Sequence, residues 1–250
     1  MKNNTSAPED LDKEKIKIQM VEIVNEISEL ATMLYAERQH SLIVVLQGMD
    51  GSGKDGVTKN VFSGISPAFV RFHAFKKPSE EEMEHDFLWR AHHVVPEKGE
   101  IAIFNRSHYE DVLIQYVHGW INDKRRDLRM DAINAFEKLL EADNNTTILK
   151  FFLNLSYEKQ EEKLMERVNI PKKQWKHSDA DWEERKLWDK YQSAYKYVFE
   201  NSKISWVNVP SDNEWYRNYV IAKEVHGALK NINPQYPKIK TELFKNKFNS

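Results

Sequence analysis

Leu42 to Leu46 is short, apolar and rich in β-branched residues, which predicts a strand covered on both faces, and further short strands are predicted at Phe69 to Phe75, Glu100 to Phe104, Ile148 to Leu153 and Ser205 to Val209. Between them the period lengthens to that of a helix. Met20, Val24, Ile27, Ala31 and Leu34 predict an amphipathic helix ahead of the first strand. Trp215, Tyr219, Ala222, Val225 and Leu229 predict the buried stripe of the last helix. Ser79 followed by Glu82 reads as a capping box for a helix through about Val94, and Ser211 followed by Glu214 reads as another. Trp89 and Trp188 are expected in the core, with Tyr191 and Tyr195 on a packing stripe that continues from Trp188. Strands alternating with helices predict an α/β fold with a parallel sheet and ligands at the carboxyl ends of the strands.

The first strand breaks into Gly48-Met-Asp-Gly-Ser-Gly-Lys-Asp-Gly56, whose spacing is that of a phosphate-binding loop. Glycines allow successive backbone N–H groups to turn inward around phosphate oxygens, so Gly51, Ser52 and Gly53 are candidate contacts, and Lys54 adds a point charge. Asp55 stands where a Ser or Thr usually ligates magnesium, and Asp50 lies inside the loop. An anion loop that carries two acids of its own is expected to hold them for metal.

A second polar cluster follows the third strand: Asn105, Arg106, Ser107, Tyr109, Glu110 and Asp111. It is expected to face the same crevice, with Arg106 clamping a phosphoryl group and the acids near magnesium. Farther on, Pro171 ends one helix and Ser178 or Asp179 starts the next. The segment between carries Lys172, Lys173 and Lys176 and is flanked by Arg167 and Arg185, which suits a basic lid closing over phosphates. Lys76 and Lys77, just past the second strand, are placed at the crevice edge. The basic run from Asp123 to Arg129 reads as a solvated helix face. His92 and His93 are adjacent and do not share a helix face, so they are not expected to form a metal pair.

Composition narrows the field. The chain has 250 residues, a net charge of −2 and no cysteine, so thiolate chemistry and disulfides are excluded and any basic function must come from local clusters. No nucleic-acid or membrane partner is expected, and a soluble cytoplasmic protein is the default. The pattern divides the chain into a helical extension (1–40), a P-loop domain (41–231) with a lid at about 166–190, and an irregular tail (232–250).

Taken together, the glycine loop, Phe104-Asn-Arg-Ser-His-Tyr-Glu-Asp-Val112 and the Pro171-to-Trp188 lid resemble the three signature blocks of the polyphosphate kinase 2 family. Phe87-Leu-Trp-Arg90 and Pro210-Ser-Asp-Asn-Glu-Trp215 resemble it too, so the likeness covers about residues 10 to 235. The resemblance implies a thymidylate-kinase-like P-loop fold: three α/β/α layers, a parallel sheet and a helical lid. It implies magnesium-dependent transfer, with manganese as a substitute, between inorganic polyphosphate and AMP or ADP, reversibly yielding ADP or ATP. It places magnesium on Asp50, with Asp111 as a further candidate, and catalysis on Asp50, Lys54 and Arg106. It implies phosphate contacts from Arg167, Lys172, Lys173, Lys176 and Arg185, and Asp55, Lys76 and Lys77 are expected to bind phosphate beside them. Asn105, Tyr109, Glu110 and Arg90 are expected to bind nucleotide or support the residues that do. A homodimer or homotetramer is expected. The other readings are a nucleotide kinase with ATP as donor and a non-catalytic nucleotide-binding P-loop module.

Overall fold

The structure, a computed structural model, describes residues 4–239 and 241. All five expected strands form: β1 (Ser41–Gln47), β2 (Val70–Ala74), β3 (Ile101–Asn105), β4 (Thr146–Asn154) and β5 (Trp206–Pro210). They pair in parallel throughout, in the order β2-β3-β1-β4-β5. Every residue of β1 is buried, because it lies mid-sheet with helices over both faces. The helices are α1 (Lys13–Glu37), α2 (Lys54–Val61), α3 (Glu80–Met83), α4 (Trp89–His92), α5 (Ile114–Val117), α6 (Asp123–Asn144), α7 (Tyr157–Asn169), α8 (Asp179–Arg185), α9 (Trp188–Asn201) and α10 (Glu214–Ile232). Short 3₁₀ turns follow β3 (His108–Asp111) and α7 (Pro171–Lys176). No helix among the described residues is long and apolar enough to cross a membrane.

The sheet separates two cores. On one face Ile27 and Leu34 of α1, Val57 and Val61 of α2, and Ile221, Val225 and Leu229 of α10 pack together against the strands. On the other, Phe104, Leu113, Ile133 and Phe136 meet Tyr195 and Val198 of α9. Each fully buried aliphatic side chain contributes roughly 1.5–3 kcal/mol. The first helix thus packs on the last, and the N-terminal segment is tied to the loop after β5: Asp212 N donates to Thr5 O (2.9 Å) and Ala7 N to Asn213 Oδ1 (2.8 Å).

Four local expectations are corrected. The capping box at Ser79 and Glu82 forms, yet its helix stops at Met83 rather than near Val94. The Asp86 carboxylate takes the Leu88 N–H at 2.9 Å, a side-chain bond that competes with helix continuation, and α4 starts anew at Trp89. Trp89 is half-buried and stacks on His85 instead of entering the core, whereas Trp188 packs at the core edge. Ser211 does not cap α10: its hydroxyl donates back to Val209 O (2.9 Å), and Asn213 occupies the cap position. Trp215 and Tyr219 are only half-buried, so the buried stripe of α10 begins at Arg217 and Asn218. The tail is irregular from Asn233 as far as it is described; residues 240 and 242–250 lie outside the described residues.

Candidate active site

The chain leaves β1 at Gln47 and enters α2 at Lys54, so the glycine loop joins a central strand to a helix N-terminus. Gly53 is held at φ 92°, and a Cβ there would lie 2.1 Å from Nη1 of Arg217. Only glycine satisfies both constraints. Lys54 folds back over the loop, its ammonium donating to Gly48 O (2.7 Å) and Met49 O (3.2 Å). Two neighbours fasten the outer turn: Gln160 Nε2 donates to Asp50 O (3.0 Å) and Arg217 Nη1 to Ser52 O (3.2 Å). Burial pulls the Lys54 ammonium down to about 8, opposed by the charge of Asp50.

Arg106 stands at the carboxyl end of β3 in the left-handed region (φ 61°), a conformation that costs a non-glycine residue about 1 kcal/mol or more. Its Nη2 donates to Asp50 Oδ1 at 2.7 Å. Burial pushes the Asp50 carboxyl up, but Arg106 and Lys54 outweigh it and hold Asp50 below the usual carboxylate range. Burial likewise opposes the Arg106 charge, and Asp50 and Glu110 more than restore it. Asp55 bridges the loop to two other parts of the chain, accepting from Asn105 Nδ2 (2.9 Å) and Lys176 Nζ (2.8 Å). The lid is therefore docked on the phosphate loop through one ion pair.

These groups line a single cleft of about 580 Å³ at the strand ends. It brings together Asp50, Gly51, Gly53, Lys54, Asp55, Lys76, Lys77, Asn105, Arg106, Arg167, Lys173 and Lys176. Within the lid, Arg167 pairs with Asp181 and Lys173 with Glu166.

The other expected site residues lie elsewhere. Ser52 is fully buried under the loop, and Lys172 is exposed outside the cleft. Arg185 is buried against Tyr157 O, Gln160 and Glu161, bracing α8 on α7. Arg90 donates to Asp111 Oδ2 (2.8 Å) and Lys76 O (2.9 Å), and Gln115 takes the other oxygen of Asp111. Asp111 therefore faces Arg90 and Gln115 rather than the phosphate loop. Tyr109 is fully buried, its hydroxyl bound by Lys150 Nζ (2.6 Å) and donating to Glu137 (2.9 Å). Glu110 accepts from Gln47 (3.0 Å) and lines a small cavity of about 50 Å³ with Asp50, Arg106, Tyr191 and Tyr195.

Sequence reasoning missed Arg217, Lys163 and Glu214 as cleft residues. For Arg217 a signal existed: it falls in phase with Ile221, Val225 and Leu229, a cation on an otherwise apolar stripe.

A parallel sheet with a lysine-bearing glycine loop after β1, faced by an arginine from the end of β3, is the architecture of a P-loop phosphotransferase. The chain belongs to the polyphosphate kinase 2 family, whose pattern matches residues 10–237. It is 43% identical over 218 residues to the AMP/ADP-polyphosphate phosphotransferase of Meiothermus ruber, covering 86% of this chain and 81% of that protein. It is 38% identical over 229 residues to the ADP-polyphosphate phosphotransferase of Rhodopseudomonas palustris, covering 86% and 79%. The crystal structure of polyphosphate kinase 2 from Arthrobacter aurescens TC1 superposes with a TM-score of 0.90 at 37% identity, covering 93% of this chain and 84% of that one.

Proposed function

We propose that this chain transfers the terminal phosphoryl group of inorganic polyphosphate to AMP and ADP, and runs the reverse reaction. The observation that carries this reading is the charge of the cleft. Nine lysines and arginines line it against four acids, on a chain whose net charge is −2. Those cations come from the loop, the segments after β2 and β3, α7, the lid and α10, so many separate elements contribute positive charge to one cleft. A compact donor needs few of these charges; a polyanion can engage all of them.

The terminal phosphate oxygen of the nucleotide attacks the last phosphorus of the chain in line. The bridging P–O bond breaks, and the shortened polyphosphate leaves with the bonding electrons. The attacking oxygen is already ionised near neutral pH, so no strong base is required. Lys54 and Arg106 neutralise charge on the transferring group, and the lid cations exclude water while they hold the chain. No phosphorylated enzyme forms on this route.

No group of three or more His, Cys, Asp or Glu is assembled for a metal among the described residues. Magnesium asks for less: one or two carboxylates, with water and substrate phosphates completing its shell. Asp50, ionised and open to the cleft beside Asp55, fits that role. Magnesium would add positive charge to the phosphate oxygens in the transition state. Asp50→Asn is expected to lower the rate and raise the magnesium concentration for half-maximal activity. An unchanged titration would place the metal elsewhere. The function itself is tested by mixing AMP, ADP and GDP separately with polyphosphate and magnesium and resolving the nucleotides chromatographically. ADP from AMP and ATP from ADP are expected; phosphorylation with ATP as donor and none with polyphosphate would overturn the reading.

A further inference from the structure

Three arginines of this chain are almost wholly withdrawn from solvent: Arg90 (7% exposed), Arg185 (5%) and Arg217 (4%). The first two are compensated in place. Arg90 meets Asp111 at 2.8 Å and Arg185 meets Glu161 at 2.8 Å, and neither lines the cleft. Arg217 differs on both counts. It lines the cleft, and its nearest carboxylate is that of Glu214 at 3.8 Å, a side chain mostly in solvent. Its other acceptors are neutral and distant, Ser52 O at 3.2 Å and Asn218 Oδ1 at 3.2 and 3.3 Å. A guanidinium has five N–H donors, so this one retains donor capacity in a place where desolvating a charge is costly.

Lys54 is the other buried cation of the cleft, and the two grip the glycine loop from opposite ends. Lys54 holds the carbonyls of Gly48 and Met49; Arg217 holds that of Ser52. The guanidinium also fills the space beside Gly53 and Gly56, where a Cβ would come within 2.1 and 3.0 Å of it. It enters from α10, which packs on α2, β4 and β5, whereas Lys76 and Lys77 follow β2 at the other edge of the sheet.

We propose that Arg217 contacts phosphate directly, taking an internal phosphate of the bound polyphosphate on the β5 side of the glycine loop while steadying that loop. This rests on the assignment of polyphosphate as donor. Binding would supply the anion that the buried guanidinium lacks, and the planar fork suits two phosphate oxygens at once.

The test is equilibrium binding of inorganic polyphosphate and, separately, of ADP, at several salt concentrations. Arg217→Gln can still donate to Ser52 O but has lost the charge. It is expected to bind polyphosphate about tenfold more weakly, to lower the slope of log affinity against log salt by about one, and to bind ADP as the wild type does. Arg217→Lys restores the slope. Weakened binding with the slope intact would mean that Arg217 only shapes the loop, and wild-type binding would remove it from the site; either overturns the proposal. Should Arg217→Gln not fold, Arg217→Lys decides alone. Polyphosphate binding weakened about threefold, for want of the fork, is expected. A fall in kcat with polyphosphate affinity unchanged overturns the contact. Wild-type protein that binds no polyphosphate overturns the donor assignment and this proposal together. A wild type that binds it with the Gln variant unaltered overturns the proposal alone.

Discussion

Charges leave water in two regions of this molecule, and ion pairs of nearly the same length serve different ends in them. Beneath the sheet, Lys150 of β4 meets Glu137 of α6 at 2.7 Å, with Lys150 fully buried and Glu137 1% exposed. The Tyr109 hydroxyl completes the triangle, and Nε2 of His108 lies 3.5 Å from Glu137. In the cleft, Arg106 meets Asp50 at 2.7 Å and Lys176 meets Asp55 at 2.8 Å, but these side chains are between 24% and 64% exposed. The sealed pair has no route by which a ligand could replace either member. Each cleft pair can exchange both: the cation for a phosphate oxygen, the acid for a bound metal. Distance alone therefore does not separate structural pairs from functional ones. Access does.

The largest expected effect falls on the sealed side. Lys150→Met strands the Glu137 carboxylate in the core and is expected to cost about 3–5 kcal/mol of stability. Lys150→Met/Glu137→Leu should recover most of that loss, because no unpaired charge remains. Urea denaturation of both variants checks this, and a double variant as unstable as the single one would show that the pair itself carries the stability.

Next comes Lys54, buried like Lys150 but open to substrate. Lys54→Ala is expected to lower turnover by about a hundredfold, close to 3 kcal/mol of transition-state stabilisation. Wild-type turnover in the folded variant would end the phosphate-loop assignment. Its ionisation adds a signature that Lys150 cannot produce. Burial lowers the Lys54 ammonium from 10.5 to about 8, so the free enzyme loses this charge as pH passes about 8. The value of kcat/KM should fall about tenfold per unit above that point. Stability moves the other way. Between about 8 and 10.5 the unfolded chain holds a proton that the folded one has shed, so the contribution of Lys54 rises with pH across that window. Lys54→Ala should abolish both slopes, as pH–rate profiles and urea midpoints would show.

The smallest effect belongs to the lid pair. Asp55 and Lys176 are 64% and 35% exposed, and such pairs contribute at most about 1 kcal/mol. Neither Asp55→Asn nor Lys176→Ala should shift the melting temperature measurably. Their effects on polyphosphate KM should be opposite and roughly two- to threefold, tighter without the competing carboxylate and weaker without the cation. Shifts of the same sign would mean that the pair does not compete with substrate.

The five strands were legible because short apolar runs bounded by polar turns have few other solutions, and all five lie where the pattern puts them, but their order in the sheet was not. Helix ends were less so. At Asp86 a side chain outbids the helix for one N–H, and at Asn213 the side-chain oxygen is taken by Ala7, 206 residues away in sequence. The loop acids, Lys54 and Arg106 were found because they sit in contiguous motifs. Arg90, Arg185, Tyr109 and Asp111 shared those motifs and turned away from the cleft, since neighbours on a helix or turn point in different directions. Arg217 lies two residues past the Pro210-to-Trp215 block, and its only signal was a cation on an apolar stripe. Only the third dimension brings α10 against the glycine loop.

The packing of α1 on α10 also bears on how the chain reaches this state. Ile27, Ala31 and Leu34 share a core with Ile221, Val225 and Leu229, nearly the whole length of the chain apart. β1, the centre of the sheet, pairs with β3 and β4, each separated from it by tens of residues. During synthesis α1 and β1 emerge before the other elements of this fold and wait, with their apolar faces uncovered, until α10 follows. Contacts this distant in sequence slow folding and leave early segments open to wrong partners. The polar and charged positions on α1, Glu22, Asn25, Glu26 and Glu29 among them, keep its other face in water during that interval. The strand that bears the glycine loop is thus made well before the arginine that steadies the loop.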